Sequence, residues 1–180
     1  MMFKYLSILF LITIGFASNI HAIELSSKSF NNNEYLTNKH VYNSFGCNGK
    51  NISPELQWKN APKETKSFAI TAYDPDAPTG SGWWHWLVFN IPTDINNLKE
   101  GIKIDELPKS VILSRTDFGK IGYGGPCPPK GHGKHRYIFT VFALDVEALP
   151  LDKNVTAATV GFYLNNHVIE KDSIVGYYKR

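Results

Sequence analysis

Few cysteines, few methionines and no block of like charge mark this chain of 180 residues. Its two cysteines, Cys47 and Cys127, form no Cys-x-x-Cys pair. A structural zinc centre needs about four ligands clustered at short spacing, so that class is excluded. The 19 basic residues are scattered among 16 acidic ones, which leaves no electrostatic footprint for nucleic acid. No Gly-x4-Gly-Lys-Ser/Thr run occurs, and the one glycine-rich stretch carries prolines, which lack the N–H groups a phosphate loop uses. Asp117-Phe118-Gly119 is preceded by no kinase catalytic-loop motif. Neither a His-x-x-x-His pair nor a Ser-His-Asp arrangement marks a catalytic centre. Repeats, linkers and low-complexity tracts are also missing, so a single domain is the economical reading.

The amino terminus differs from the rest. Lys4 is the only charge among the first 22 residues, residues 5–17 are almost wholly apolar, and Ala22 is small. The apolar run is shorter than the ~20 residues a spanning helix needs. Residues 1–22 therefore read as a secretory signal peptide removed after Ala22, and the chain is expected to be periplasmic or secreted. The remaining domain, 23–180, loses Lys4 and is close to neutral. In an oxidising compartment, Cys47 and Cys127 are most simply one disulfide; two buried thiols are the alternative. Such a bridge closes a loop of about 80 residues, for which the chain-entropy model gives roughly 4 kcal/mol.

Strand patterns dominate this domain. Residues 67–73, SFAITAY, alternate and end at Asp-Pro. Residues 84–91, WHWLVFNI, are apolar on both faces, as in a strand covered on both sides. Residues 136–144 form the third strong strand, with weaker ones at 24–29, 56–58 and 111–115. Residues 155–171 carry apolar positions at helical spacing behind the candidate caps Asn154 and Thr156, and 174–178 return as a short strand. A mainly β fold with one or two peripheral helices follows.

Two stretches carry the chemistry. In Asp74-Pro75-Asp76-Ala77-Pro78, two prolines stiffen the backbone that aims the carboxylates, although an Asx turn alone would explain it. His85 follows on the next strand; strict alternation sets it opposite Trp84 and Trp86. The second stretch, GYGGPCPPKGHGKHRY, is a glycine-proline loop entering the strand where His135 and Tyr137 share a face. If these strand ends meet, an aspartate orients an imidazole and favours its cationic form. The imidazoles, the Tyr137 hydroxyl and a loop N–H then donate to a phosphate-like anion, the second carboxylate meets an ammonium group, and the tryptophans wall the site.

These residues resemble the phosphatidylethanolamine-binding protein family, also called Raf-kinase-inhibitor-like proteins, in its bacterial exported branch. The likeness rests on DPDAP, GSGWWHW, GPCPPKG and HRY, with FGCNGKNISPELQW before them. It implies a central antiparallel sheet packed by a smaller sheet, with peripheral helices. It also implies a ligand pocket built from Asp74, Asp76, His85, Gly125, Pro129, His135 and Tyr137. The expected function is non-enzymatic binding of phosphorylated small ligands or phospholipid headgroups, without a cofactor and with peripheral membrane contact. Two alternatives stand beside it: a protease or kinase-type inhibitor acting by protein contact, and a phosphoesterase with a metal held by Asp74, Asp76, His85 and His135. The protein partner and oligomeric state are left open.

Overall fold

A computed structural model describes residues 22–180. The expected leader, apart from Ala22, lies outside the described residues. Among those described, two sheets and one α-helix form the architecture. The small sheet holds β1 (Glu24–Ser26), β3 (Leu56–Lys59) and β6 (Asn97–Leu98) in the order β1-β3-β6. The large sheet holds β2 (Glu34–Tyr35), β4 (Ser67–Asp74), β5 (Trp83–Ile91), β7 (Ile112–Leu113), β8 (His135–Leu144) and β9 (Val168–Tyr178). Its order is β2-β9-β8-β4-β5-β7, antiparallel except where β2 meets β9. The helix α1 (Ala157–His167) packs on the large sheet's outer face.

The three strong strands stand at the centre because both their faces are covered. One face of β4, β5 and β8 meets the small sheet, where Phe68, Ile70, Val88 and Phe139 pack with Trp58, Leu56 and Leu25. The other face carries Ala69, Leu87, Phe89 and Phe142 against Val160 and Leu164 of α1. A strand buried on both sides loses the apolar-polar alternation and reads as a continuous apolar run, here within an antiparallel sheet.

The helix begins as expected, with the Thr156 hydroxyl accepting from the Thr159 N–H at 3.2 Å. It ends at His167, short of the expected 171. From Val168 the chain is a strand of 11 residues paired along β8, from Leu144↔Val168 to His135↔Tyr178. The apolar spacing that suggested helix at Val168 and Ile169 gives way to β-branched residues lying on a long partner strand. Two of the weaker strands are shorter than expected, at 24–26 and 112–113, and the third, at 56–59, is one residue longer.

Candidate binding cavity

A bulge at the start of β5 shapes the site. Tyr73 pairs with Trp84 and Ala72 with Trp86, so His85 is an extra residue opposite the β4 backbone. The bulge breaks alternation. Trp84 turns to the helix side, its ring tilted 42° against that of Tyr73 at 4.6 Å between centroids. His85 and Trp86 both face the side of the larger core, meeting Tyr137 and Tyr123 respectively. The expectation that His85 lies opposite both tryptophans is thus corrected.

Asp74 and His135 sit on neighbouring strand ends of the large sheet, β4 and β8, beside His85 on β5. All three, with Tyr137, Trp83, Phe118 and Pro129, line one cavity of about 210 Å³. The Asp74 Oδ2 accepts from His135 Nδ1 at 2.7 Å, and its Oδ1 accepts from the Asp76 N–H at 2.8 Å. That second bond is the Asx turn, so both readings of the motif hold for Asp74. With the His135 Nδ1–H donating to Asp74, its Nε2 lies 2.8 Å from His132 Nδ1. Both ring nitrogens of His135 are therefore engaged within the protein.

His85 is set differently from the expectation. Its Nδ1 lies 2.6 Å from the Gly124 carbonyl. A carbonyl only accepts, so Nδ1 carries the proton and Nε2 holds a lone pair. No aspartate among the described residues hydrogen-bonds this ring. Burial pushes its pKa down to about 4, against the opposing pull of the Gly124 carbonyl and the Asp74 charge. At neutral pH His85 is an uncharged acceptor, which overturns its reading as a cationic donor. Burial likewise pushes the Tyr137 phenol up, reinforced by the Asp74 charge, so it stays an O–H donor.

Two expected site residues lie off the cavity wall. Asp76 is committed to Arg136, whose Nη2 and Nε donate to it at 2.7 and 2.9 Å, joined by the Arg136 N–H at 2.9 Å. Those bonds hold its carboxyl below the usual range. Asp76 is not among the residues that line the cavity, and the four-residue metal set does not assemble; no group of three or more candidate ligands exists among the described residues. Gly125 supports the rim from behind. A Cβ there would lie 2.0 Å from the His40 carbonyl oxygen, and its N–H donates to Asn51 Oδ1 at 2.7 Å.

The aromatic wall includes residues the sequence reading did not select. Phe118, from the dismissed Asp-Phe-Gly triplet, packs edge-on against both Trp83 and His85. Asp117 anchors it by accepting the Trp84 N–H at 2.7 Å. Phe45 joins the wall at the mouth, 63% exposed. Cys47 and Cys127 form a disulfide that ties the Phe45 loop to the proline loop. Arg180 ties the same two loops again, donating to the carbonyls of Pro128 and Gly46. The available sequence signal was the triplet's placement directly before the glycine-rich loop.

Two buried donors on this wall have no acceptor among the described residues: the Tyr137 hydroxyl and the Trp83 indole N–H. With His85 Nε2 and Asp74 they make a site offering two donors and acceptor positions, walled by aromatic rings. None of the lining residues is Lys or Arg. Fold and site define a two-sheet binding protein with a small pocket at the strand ends of its central sheet.

Comparison with known proteins gives the family. The phosphatidylethanolamine-binding protein model matches residues 26–179. The chain belongs to that family. UPF0098 protein YbcL of Escherichia coli is 45% identical over 172 residues, 92% of each chain. UPF0098 protein YbhB of the same organism is 47% identical over 158 residues, 87% of this chain and 99% of the relative. The crystal structure of YbcL, described as a new member of the mammalian PEBP family, superposes with a TM-score of 0.85 over 89% of this chain and 99% of that one. The homolog CT736 of Chlamydia trachomatis is 32% identical, with a TM-score of 0.75 over 88% and 98% of the two chains. The narrower placing in an exported bacterial branch is not borne out by these relatives.

Proposed function

We propose that this is a non-enzymatic binding protein whose cavity takes a small phosphorylated ligand, with a phosphoethanolamine-like headgroup as the simplest case. One observation carries the reading: the buried Tyr137 O–H and Trp83 N–H have no acceptor among the described residues. A buried unmet donor costs about 1–3 kcal/mol, and phosphoryl oxygens relieve two at once. His85 Nε2 then accepts from the ligand's own O–H or ammonium. Asp74 supplies the negative charge that favours an ammonium-bearing zwitterion over a bare dianion. The expected leader supports an extracytoplasmic location, where the disulfide at the mouth would persist. Amino-terminal sequencing of the exported protein tests that location, and a chain starting with the leader intact in the cytoplasm refutes it.

Isothermal calorimetry with phosphoethanolamine tests the ligand. Hydrogen bonds to a charged group contribute about 1.5–3 kcal/mol each. Tyr137→Phe should therefore weaken binding roughly 10- to 150-fold, and His85→Ala should weaken it as well. Unchanged affinity in both variants removes the cavity from the proposal.

A further inference from the structure

A second cavity, of about 480 Å³, lies beside β7 and shares no lining residue with the first. Its volume falls within the range of small-molecule sites. Ile102, Ile104 and Ile121 line it, and two of them stand out among surface residues: Ile104 is 51% exposed and Ile121 46%. The two exposed side chains border one groove rather than lying on separate faces. Trp86 also lines the groove while only 1% exposed, and its indole N–H has no acceptor among the described residues. Lys103 and Lys153 line the same groove, are exposed, and take part in no ion pair among the described residues.

We propose that this groove binds an aliphatic carboxylate, a fatty-acid-like monoanion. The alkyl chain covers the isoleucines and removes apolar surface from water. The carboxylate brings oxygen acceptors for the Trp86 N–H and a negative charge within the field of the two lysines. A neutral hydrocarbon leaves the N–H unmet. An alkyl cation is repelled by the lysines. Of these three ligand classes, the carboxylate answers all three features. This site stands independently of the phosphoryl ligand proposed for the first cavity.

Decanoate, below its micelle-forming concentration, is the probe, titrated into the disulfide-bonded protein with the tryptophan indole N–H resonances followed by NMR. Trp86 reports on the groove and Trp83 on the first cavity in the same spectra. Saturable movement of Trp86 with Trp83 unmoved is expected. Ile104→Asp, at a position 51% exposed, should weaken the response roughly tenfold or more, and so should replacing decanoate by decyltrimethylammonium. Lys103→Glu with Lys153→Glu should weaken it too, in a salt-dependent way. The proposal is overturned if Trp86 shows no saturable shift, if Trp83 responds in its place, or if the alkyl cation binds as well as the carboxylate.

Discussion

Replacing His85 by Asn tests the charge state on which the cavity's chemistry rests. The folded protein holds this imidazole at a pKa of about 4, against 6.5 for an unperturbed ring. The unfolded chain therefore takes up a proton near pH 6.5 that the folded chain refuses until about pH 4. A depressed pKa stabilises the fold above the unfolded value, and that contribution is lost as pH falls through the window from 6.5 to 4. A gap of this size corresponds to about 3 kcal/mol, at up to ~1.4 kcal/mol per pH unit. The ring is 4% exposed, so solvent screening takes little of it. In His85→Asn the amide N–H can replace Nδ1–H toward Gly124, but nothing titrates. Urea unfolding followed by circular dichroism at half-unit steps from pH 7.5 to 4 measures both proteins. The wild type should lose about 3 kcal/mol more than the variant across that window. Parallel curves would refute the neutral, desolvated imidazole, as would an NMR titration of His85 with a midpoint near 6.5.

Asp76→Asn should cost about 1 kcal/mol or less, because its pair with Arg136 is half in solvent, and phosphoethanolamine affinity should not change; a large loss of affinity would return Asp76 to the binding site. Gly125→Ala should lower unfolding stability by roughly 2 kcal/mol or more, since the new Cβ meets backbone atoms of His40 and Tyr42 that cannot swing aside; a neutral effect in thermal melts would show that the rim yields. Replacing Cys47 and Cys127 together by Ser opens a loop with a sequence separation of 80, and denaturant unfolding should register a loss of about 4 kcal/mol. A loss near zero would mean that the Arg180 ties already close that loop.

The features legible in the sequence were those fixed by local composition. Residues 84–91 announced a strand covered on both faces, whereas 67–73 was read from an alternation that its burial on both faces does not keep, and the cavity's Asp74, His85, His135 and Tyr137 were found because short motifs flank strand ends. What the sequence did not show depended on pairing geometry. The extra residue at His85 changes which tryptophan shares its face, and it exists only relative to β4. The partner of Asp76 is Arg136, 60 residues away, and no local pattern could distinguish that pairing from one with a histidine. Val168 and Ile169 fit helical spacing, but β8 offered them a full-length partner strand. The same long-range packing turned His85 from a presumed cation into a neutral acceptor: its surroundings are set by Phe118, Gly124 and Tyr137, contributed by two other segments.

Tyr137 brings stability and binding into opposition. Its hydroxyl sits on a side chain that is 1% exposed and has no acceptor among the described residues. Removing one member of a satisfied pair normally destabilises a protein, because the other member is left unmet. Here no partner is stranded by the change. Tyr137→Phe deletes only the unmet hydroxyl and keeps the ring that packs edge-on against His85 at 5.1 Å. The ligand-free variant should therefore be more stable than the wild type, by about 1 kcal/mol, while binding phosphoethanolamine more weakly. Thermal melts of both proteins should show the variant higher without ligand and the order reversed at saturating ligand, since only the wild type gains the full linkage from binding. A ligand-free variant that melts lower would mean that the hydroxyl has a partner in the empty cavity. The unmet donor would then no longer support the site.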